Sequence, residues 1–272
     1  MYDWIYDIHN AWLLALFSIA FVGFSWAGTL LMRPRLLGFI RGNTGVNDLV
    51  GSVLSCYGVF YGLLLGLIAV AAYQNYTKID TMVSLEAAQL TALYRDISNY
   101  PQPEREAFQH MLRDYARYVI QEAWPAQQRG LIDPGSGTRL GEFLTKLAAF
   151  EPKTKGQELL HAETLRAFNN LSSLRRQRVF SVASGIPTLM WYVVIFGATL
   201  NIMIVWLFEM KVAANLLLGG VLALLIGTVI CLITAMDNPY NGEMGIGPDA
   251  FQEVYENLMG GSLSVTSLKT TP

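Results

Sequence analysis

Four stretches without a single Asp, Glu, Lys, Arg or His, at about residues 11–32, 49–72, 188–208 and 212–236, constrain this chain more than any other feature. Each supplies the roughly 20 apolar residues that a helix needs to span the hydrocarbon core of a bilayer. A large soluble core is the other home for such runs. With 53% hydrophobic and only 15% charged residues in 272, too little polar surface is left to enclose them. The first run is too long for a cleaved signal peptide, and Asp3 and Asp7 precede it where a signal would carry Lys or Arg. Trp12, Trp26, Trp191, Trp206, Tyr73, Tyr76 and Tyr192 fall at or near the ends of the runs, where amphipathic rings prefer the headgroup layer.

Between residues 73 and 187 the pattern changes to helical periodicity. Ile79, Val83, Leu90, Leu93 and Ile97 recur mostly three or four apart, which predicts that the second apolar helix runs on into this region. Tyr100-Pro101-Gln102-Pro103 breaks it. Pro103 followed by Glu104 and Glu106 then predicts a new helix start, with a core stripe of Phe108, Leu112, Tyr115 and Val119 and an end near Trp124-Pro125. Gly130, Pro134, Gly135 and Gly137 mark a loop, and Leu140, Phe143, Leu144 and Leu147 a short helix. Thr154 with Gln157 fits a capping box that opens a longer helix carrying Leu165, Phe168 and Leu171. Gly185-Ile186-Pro187 predicts a kink or break before the third run. The fold class is therefore all-α, an integral membrane protein with four transmembrane helices and a helical soluble domain inserted between the second and third. Its parts are a first hairpin at 1–72, the soluble domain at 73–187, a second hairpin at 188–236, and a polar turn with a disordered tail at 237–272.

Sidedness is open. Arg33, Arg35 and Arg41 after the first run and Lys211 after the third place both termini and the soluble domain outside, by the bias of short loops toward internal positive charge. Lys78 and the Arg175, Arg176, Arg178 cluster argue for the opposite arrangement.

The second run holds Gly58, Gly62 and Gly66 at four-residue spacing, a face along which helices approach closely. Gly219, Ala223 and Gly227 repeat the device in the fourth. These faces pack helices within one subunit or pack subunits around an axis. In the second case the bulky stripe of Tyr57, Phe60, Tyr61, Leu64 and Ile68 lines a pore and gates it by dewetting. The absence of charge inside the runs counts against pumps and coupled carriers. Asn201 and Gln74 are polar amides read as interhelical hydrogen bonds. The turn after the fourth run, with Asp237, Asn238 and Asn241, is a helix stop or an oxygen-rich cation site, and Glu209 is a pore-mouth acid or a solvated one.

Other classes find little footing. A net charge of −2 without a basic face argues against nucleic acid. His9, His110 and His161 lack metal-ligand spacing, Cys56 and Cys231 lie inside apolar runs, and no catalytic motif or cofactor fingerprint is present.

Several features occur together: Glu86 on the continued second helix, the Tyr94 to Pro103 turn, and Tyr115 ahead of Glu122-Ala123-Trp124-Pro125. With them stand Arg175 to Arg178, Ser184-Gly185-Ile186-Pro187 and Asp237-Asn238-Pro239-Tyr240-Asn241-Gly242. From about 11 to 256 the chain resembles the bestrophin-like domain family, bacterial four-helix membrane proteins. The resemblance implies a plasma-membrane location and a distant relation to bestrophins, pentameric anion channels whose second helix lines a hydrophobic neck. It makes Tyr57, Phe60, Tyr61 and Leu64 the counterpart candidates, and implies a homo-oligomer set in lipid, with ions as the other partner and the soluble domain in the cytoplasm. The acidic calcium clasp of bestrophins has no counterpart after the fourth run, where only the Asp237 to Gly242 turn stands. The expectation is an oligomeric ion channel gated on the second helix and regulated by the soluble domain. The alternative is a non-conducting membrane sensor or scaffold.

Overall fold

The computed structural model describes residues 9–40, 45–182 and 184–260. Asp3, Asp7, Arg41 and the tail after Gly260, all used above, lie outside them. Every regular element among the described residues is helical: α1 (Asn10–Leu31), α2 (Arg33–Ile40), α3 (Val46–Ile97), α4 (Glu104–Tyr118), α5 (Trp124–Gln128), α6 (Gly135–Ala148), α7 (Lys155–Ser181), α8 (Thr188–Val205), α9 (Val212–Asp237) and α10 (Asp249–Asn257). Among them α1, α3, α8 and α9 are long and apolar enough to cross a membrane. Helix α3 is unbroken from the second apolar run to Ile97. Two compact units divide the chain, an apolar one from the chain up to Tyr76 with Gly185–Met244, and a polar one from Thr77–Ser184 with the chain after Gly245.

In the apolar unit, α1 lies along α9 because small residues let the backbones meet. A Cβ added at Gly227 would stand 3.2 Å from the Phe17 carbonyl, and one at Gly219 would stand 2.8 Å from Ser25 Oγ. The Trp206 ring fills the space beside Gly28, and its indole N–H donates to the Ser25 carbonyl at 3.1 Å. Polar groups at the 206–211 turn are satisfied by neighbours. Arg33 donates to the carbonyls of Phe208 and Met210, while the Asn47 amide exchanges two hydrogen bonds with the Glu209 backbone, at 3.0 and 2.8 Å. Unmatched carbonyls there would be costly beside hydrocarbon.

The polar unit packs α4, α6, α7 and the second half of α3 around Leu90, Leu93, Phe108, Leu112, Phe143 and Phe168, all buried. Thr154 caps α7, accepting from the Gln157 N–H at 3.2 Å while the Gln157 side chain accepts from Lys153 N–H at 2.7 Å. Helix α4 does not stop at Trp124. Pro125 has no N–H to give the Gln121 carbonyl, so the ladder resets through a single π-helical turn, Val119–Ala123, and continues as α5. On α6, Leu140, Phe143 and Leu147 are buried while Leu144 is 38% exposed. Helix α10 lies in a segment read as polar turn and tail. Its Phe251 is fully buried, 5.9 Å from the Trp124 ring, and Trp124 Nε1 donates to the Ile246 carbonyl at 3.1 Å.

Candidate membrane path and its supports

Helix α3 presents its sides very differently. One side is core: Tyr61, Leu65 and Ile68 are buried against Val194, Ala198 and Ile202 of α8 and Ile226 of α9, with Tyr57 and Leu64 packed at the margin. Two phenols fasten it. Tyr61 donates to the Val194 carbonyl at 2.9 Å and Tyr57 to the Gly197 carbonyl at 3.2 Å. Gly197 has to be glycine here, because a Cβ would stand 2.4 Å from the Tyr61 ring. The bulky stripe expected to line a pore is thus largely an intrasubunit packing stripe, which corrects the assignment for Tyr57, Tyr61, Leu64 and Ile68. Two phenolic hydroxyls facing apolar neighbours need acceptors, and the α8 carbonyls supply them. Phe60 alone of the five is free of this core, at 68% exposure.

The outward side carries Val59, Leu63, Leu67 and Val70, which are 70, 61, 61 and 52% exposed. Spacings of four, four and three make them one continuous apolar ridge. Only 17% of the most apolar stretch of α3 is buried within the chain. Gly58, Gly62 and Gly66 lie on a flank between ridge and core, and a Cβ at any of them meets nothing within 4 Å. They do not pack helices inside the subunit. Gly219, Ala223 and Gly227 do sit at helix contacts within the chain.

The other singled-out polar residues serve as braces. Both Asp237 carboxylate oxygens are engaged, Oδ1 by the Ile186 N–H at 2.6 Å and Oδ2 by the Trp191 indole at 3.2 Å. This ties the lead-in of α8 to the end of α9, so the cation-site reading of Asp237 gives way to a structural one. Asn241 Oδ1 accepts from Gly242 N–H at 2.8 Å, and the Asn238 carbonyl accepts from Asn241 N–H at 3.2 Å, a tight turn that Gly242 completes at φ 87°. Glu209 is held by its backbone, with its side chain exposed. Among the described residues no group of three or more His, Cys, Asp or Glu is placed to hold a metal.

Sequence reasoning passed over three residues. Asn215, fully buried on α9, accepts from Thr29 at 2.9 Å and donates to the Val205 carbonyl at 2.9 Å. Its signal was an amide inside an apolar run, the same as for Asn201. Glu243 receives the Asn10 N–H at 2.9 Å and pairs with His9 at 3.1 Å, joining the start of α1 to the turn after α9. Arg178, read as one of a basic cluster near the membrane, is instead buried in the polar unit against Glu86 at 2.6 Å.

Tyr61→Phe removes one hydrogen bond and keeps the ring. The expected cost is about 0.5–1.5 kcal/mol of stability, measured by thermal unfolding in detergent.

With this geometry in place, likenesses to known proteins are informative. The Bestrophin-like domain family matches residues 19–251. Among solved structures, a mutated form of a bacterial bestrophin homologue from Klebsiella pneumoniae resembles this chain with a TM-score of 0.65, over 89% of this chain and 97% of that one. Sequence identity is 10%, so the likeness is one of fold. No curated protein matches the sequence.

Proposed function

The chain belongs to the Bestrophin-like domain family, and from that premise we propose that it is a homo-oligomeric ion channel of the plasma membrane whose path is lined by α3. Four helices, α1, α3, α8 and α9, cross the bilayer, and the polar helical unit is inserted between the second and third. The observation that carries this reading is the outward ridge Val59, Leu63, Leu67 and Val70 on a helix whose opposite side is fastened to its own subunit. Brought together around an axis, such ridges form an uncharged constriction that conducts when wetted and closes by dewetting. The fold shared with the solved bestrophin homologue lends support, since the resemblance to bestrophins implies a relation to anion channels. Regulation enters through the polar unit, because α3 continues into it without a break as far as Ile97.

Flux from liposomes holding the purified protein under a KCl gradient tests the reading. The expected result is protein-dependent flux with a defined reversal potential, whose sign identifies anion or cation passage. A folded, oligomeric protein that stays silent under every gradient overturns it in favour of a non-conducting sensor or scaffold.

A further inference from the structure

Three glycines in the middle of a membrane helix are not required by anything among the described residues. Elsewhere glycine is demanded by contact: at Gly28 and Gly197 an added Cβ would fall 1.9 and 2.4 Å from a ring. At Gly58, Gly62 and Gly66 it would meet open space. Each glycine in a helix interior costs roughly 0.5–1 kcal/mol relative to alanine, so a partner outside the subunit is the physical reason for all three. Beside them runs an apolar groove of about 370 Å3, walled by Leu54 on α3 and Leu222, Leu225 and Val229 on α9.

The groove also holds an unmet polar demand. Asn201 lines it, is 3% exposed, and its Oδ1 has no hydrogen-bond partner. An amide oxygen in hydrocarbon calls for a donor. A lipid acyl chain offers none, whereas a second copy of this chain does. Asn201 lies one turn beyond Gly197, whose carbonyl meets Tyr57, and it shares the groove with Leu54 and Gly58. It is therefore level with residues 54–58 of α3. At that level Cys56, an exposed free thiol, projects about 200° around the helix from Gly58. Phe60 stands one turn further along the same flank, 68% exposed.

We propose that the glycine groove of each subunit receives the Cys56 and Phe60 flank of α3 from the next, with the Cys56 thiol reaching the Asn201 carbonyl oxygen. Groove and flank are different patches of the subunit, so the contact is heterologous. Repeated by rotation it closes a ring and leaves Val59, Leu63 and Val70 facing the axis. Rotational symmetry keeps corresponding residues at one depth, as the match of Cys56 with Asn201 requires. The proposal rests on the channel reading for the ring and adds the contact that builds it.

Disulfide trapping tests it in the full-length protein in membranes. Gly58→Cys puts a second thiol in the groove, where the subunit has room for it. Mild oxidation is expected to give a ladder of covalent oligomers ending at the full ring, and adding Cys56→Ser is expected to abolish it. Cross-linked dimers that persist in Gly58→Cys, Cys56→Ser would mean that glycine faces meet one another, and would overturn the proposal, as would no product in either protein. Gly62→Trp projects into the groove from a position where an added Cβ meets no atom within 4 Å, and is expected to leave a folded monomer. An intact oligomer in that variant overturns the proposal too, and identifies a lipid chain as the occupant if bound lipid is lost. These readouts are masses. A trapped ring that carries no flux sinks the channel reading and leaves the contact standing.

Discussion

Glu86→Ala is expected to destabilise the polar unit by about 3–5 kcal/mol, read as a large fall in thermal midpoint of the full protein in detergent. The Glu86 and Arg178 side chains are both 0% exposed. Arg178 donates to both carboxylate oxygens, at 2.6 and 3.0 Å, and to Gln127 Oε1 at 2.7 Å. Tyr115 donates to Glu86 at 3.0 Å, and the guanidinium lies 5.2 Å from the Trp124 ring and 5.6 Å from that of Phe251. Burial first, and then the Glu86 charge, holds the Tyr115 hydroxyl well above its ordinary pKa, so it remains a donor across the working range. Taking away the carboxylate removes the Glu86 charge from beside a fully buried cation. Because the pair and not either charge is what the site tolerates, Glu86→Met with Arg178→Met is expected to recover most of the loss. A single-variant loss below about 1 kcal/mol, the range of an exposed pair, would show that water reaches the site and would sink this account.

That pair also shows where sequence reading reaches its end. Glu86 and Arg178 are 92 positions apart, and no local pattern joins them. Arg178 sits among Arg175 and Arg176 and reads as part of a surface cluster, although Arg175 instead meets Ser136 at 3.0 Å. Features governed by near neighbours were legible. The charge-free runs became α1, α3, α8 and α9, the Thr154 cap formed, and Phe108, Leu112, Tyr115 and Val119 were buried together. The orientation of α3 was not legible, and the reason is physical. A soluble helix declares its inner face by polarity, but a membrane helix is apolar all round, and its inner face is chosen by shape and hydrogen bonding. The phenols of Tyr57 and Tyr61 were taken as bulk when their need for acceptors was the better guide. The bare glycines were read as a close-approach surface, yet among the described residues nothing approaches them. In α10, one buried phenylalanine in a short amphipathic stretch after a polar turn was too weak a signal to separate it from a tail.

Leu63→Ser is expected to raise ion flux on the order of tenfold or more while leaving the protein folded. Leu63 is 61% exposed and touches no core, so the substitution removes little packing within the subunit. Its effect falls on the path. In a ring every copy changes at once, and a collar of hydroxyls replaces a collar of isobutyl groups, giving water hydrogen-bonding sites where it had none. Dewetting closes such a constriction because the apolar wall offers water nothing to bind. Lowering that barrier by about 1.4 kcal/mol, summed over all copies, is enough for a factor of ten. Val70→Ser, two turns further along the ridge, is expected to act in the same direction, and the reversal potential is expected to hold because neither change introduces charge. Buried Tyr61 supplies the contrast, since Tyr61→Phe alters the core of the subunit and not the ridge. If Leu63→Ser and Val70→Ser leave flux unchanged while Phe60→Ala raises it, α3 is rotated so that Phe60 faces the axis. The glycine flank would then turn away from the neighbouring subunit, and the ring contact would fall along with the gate.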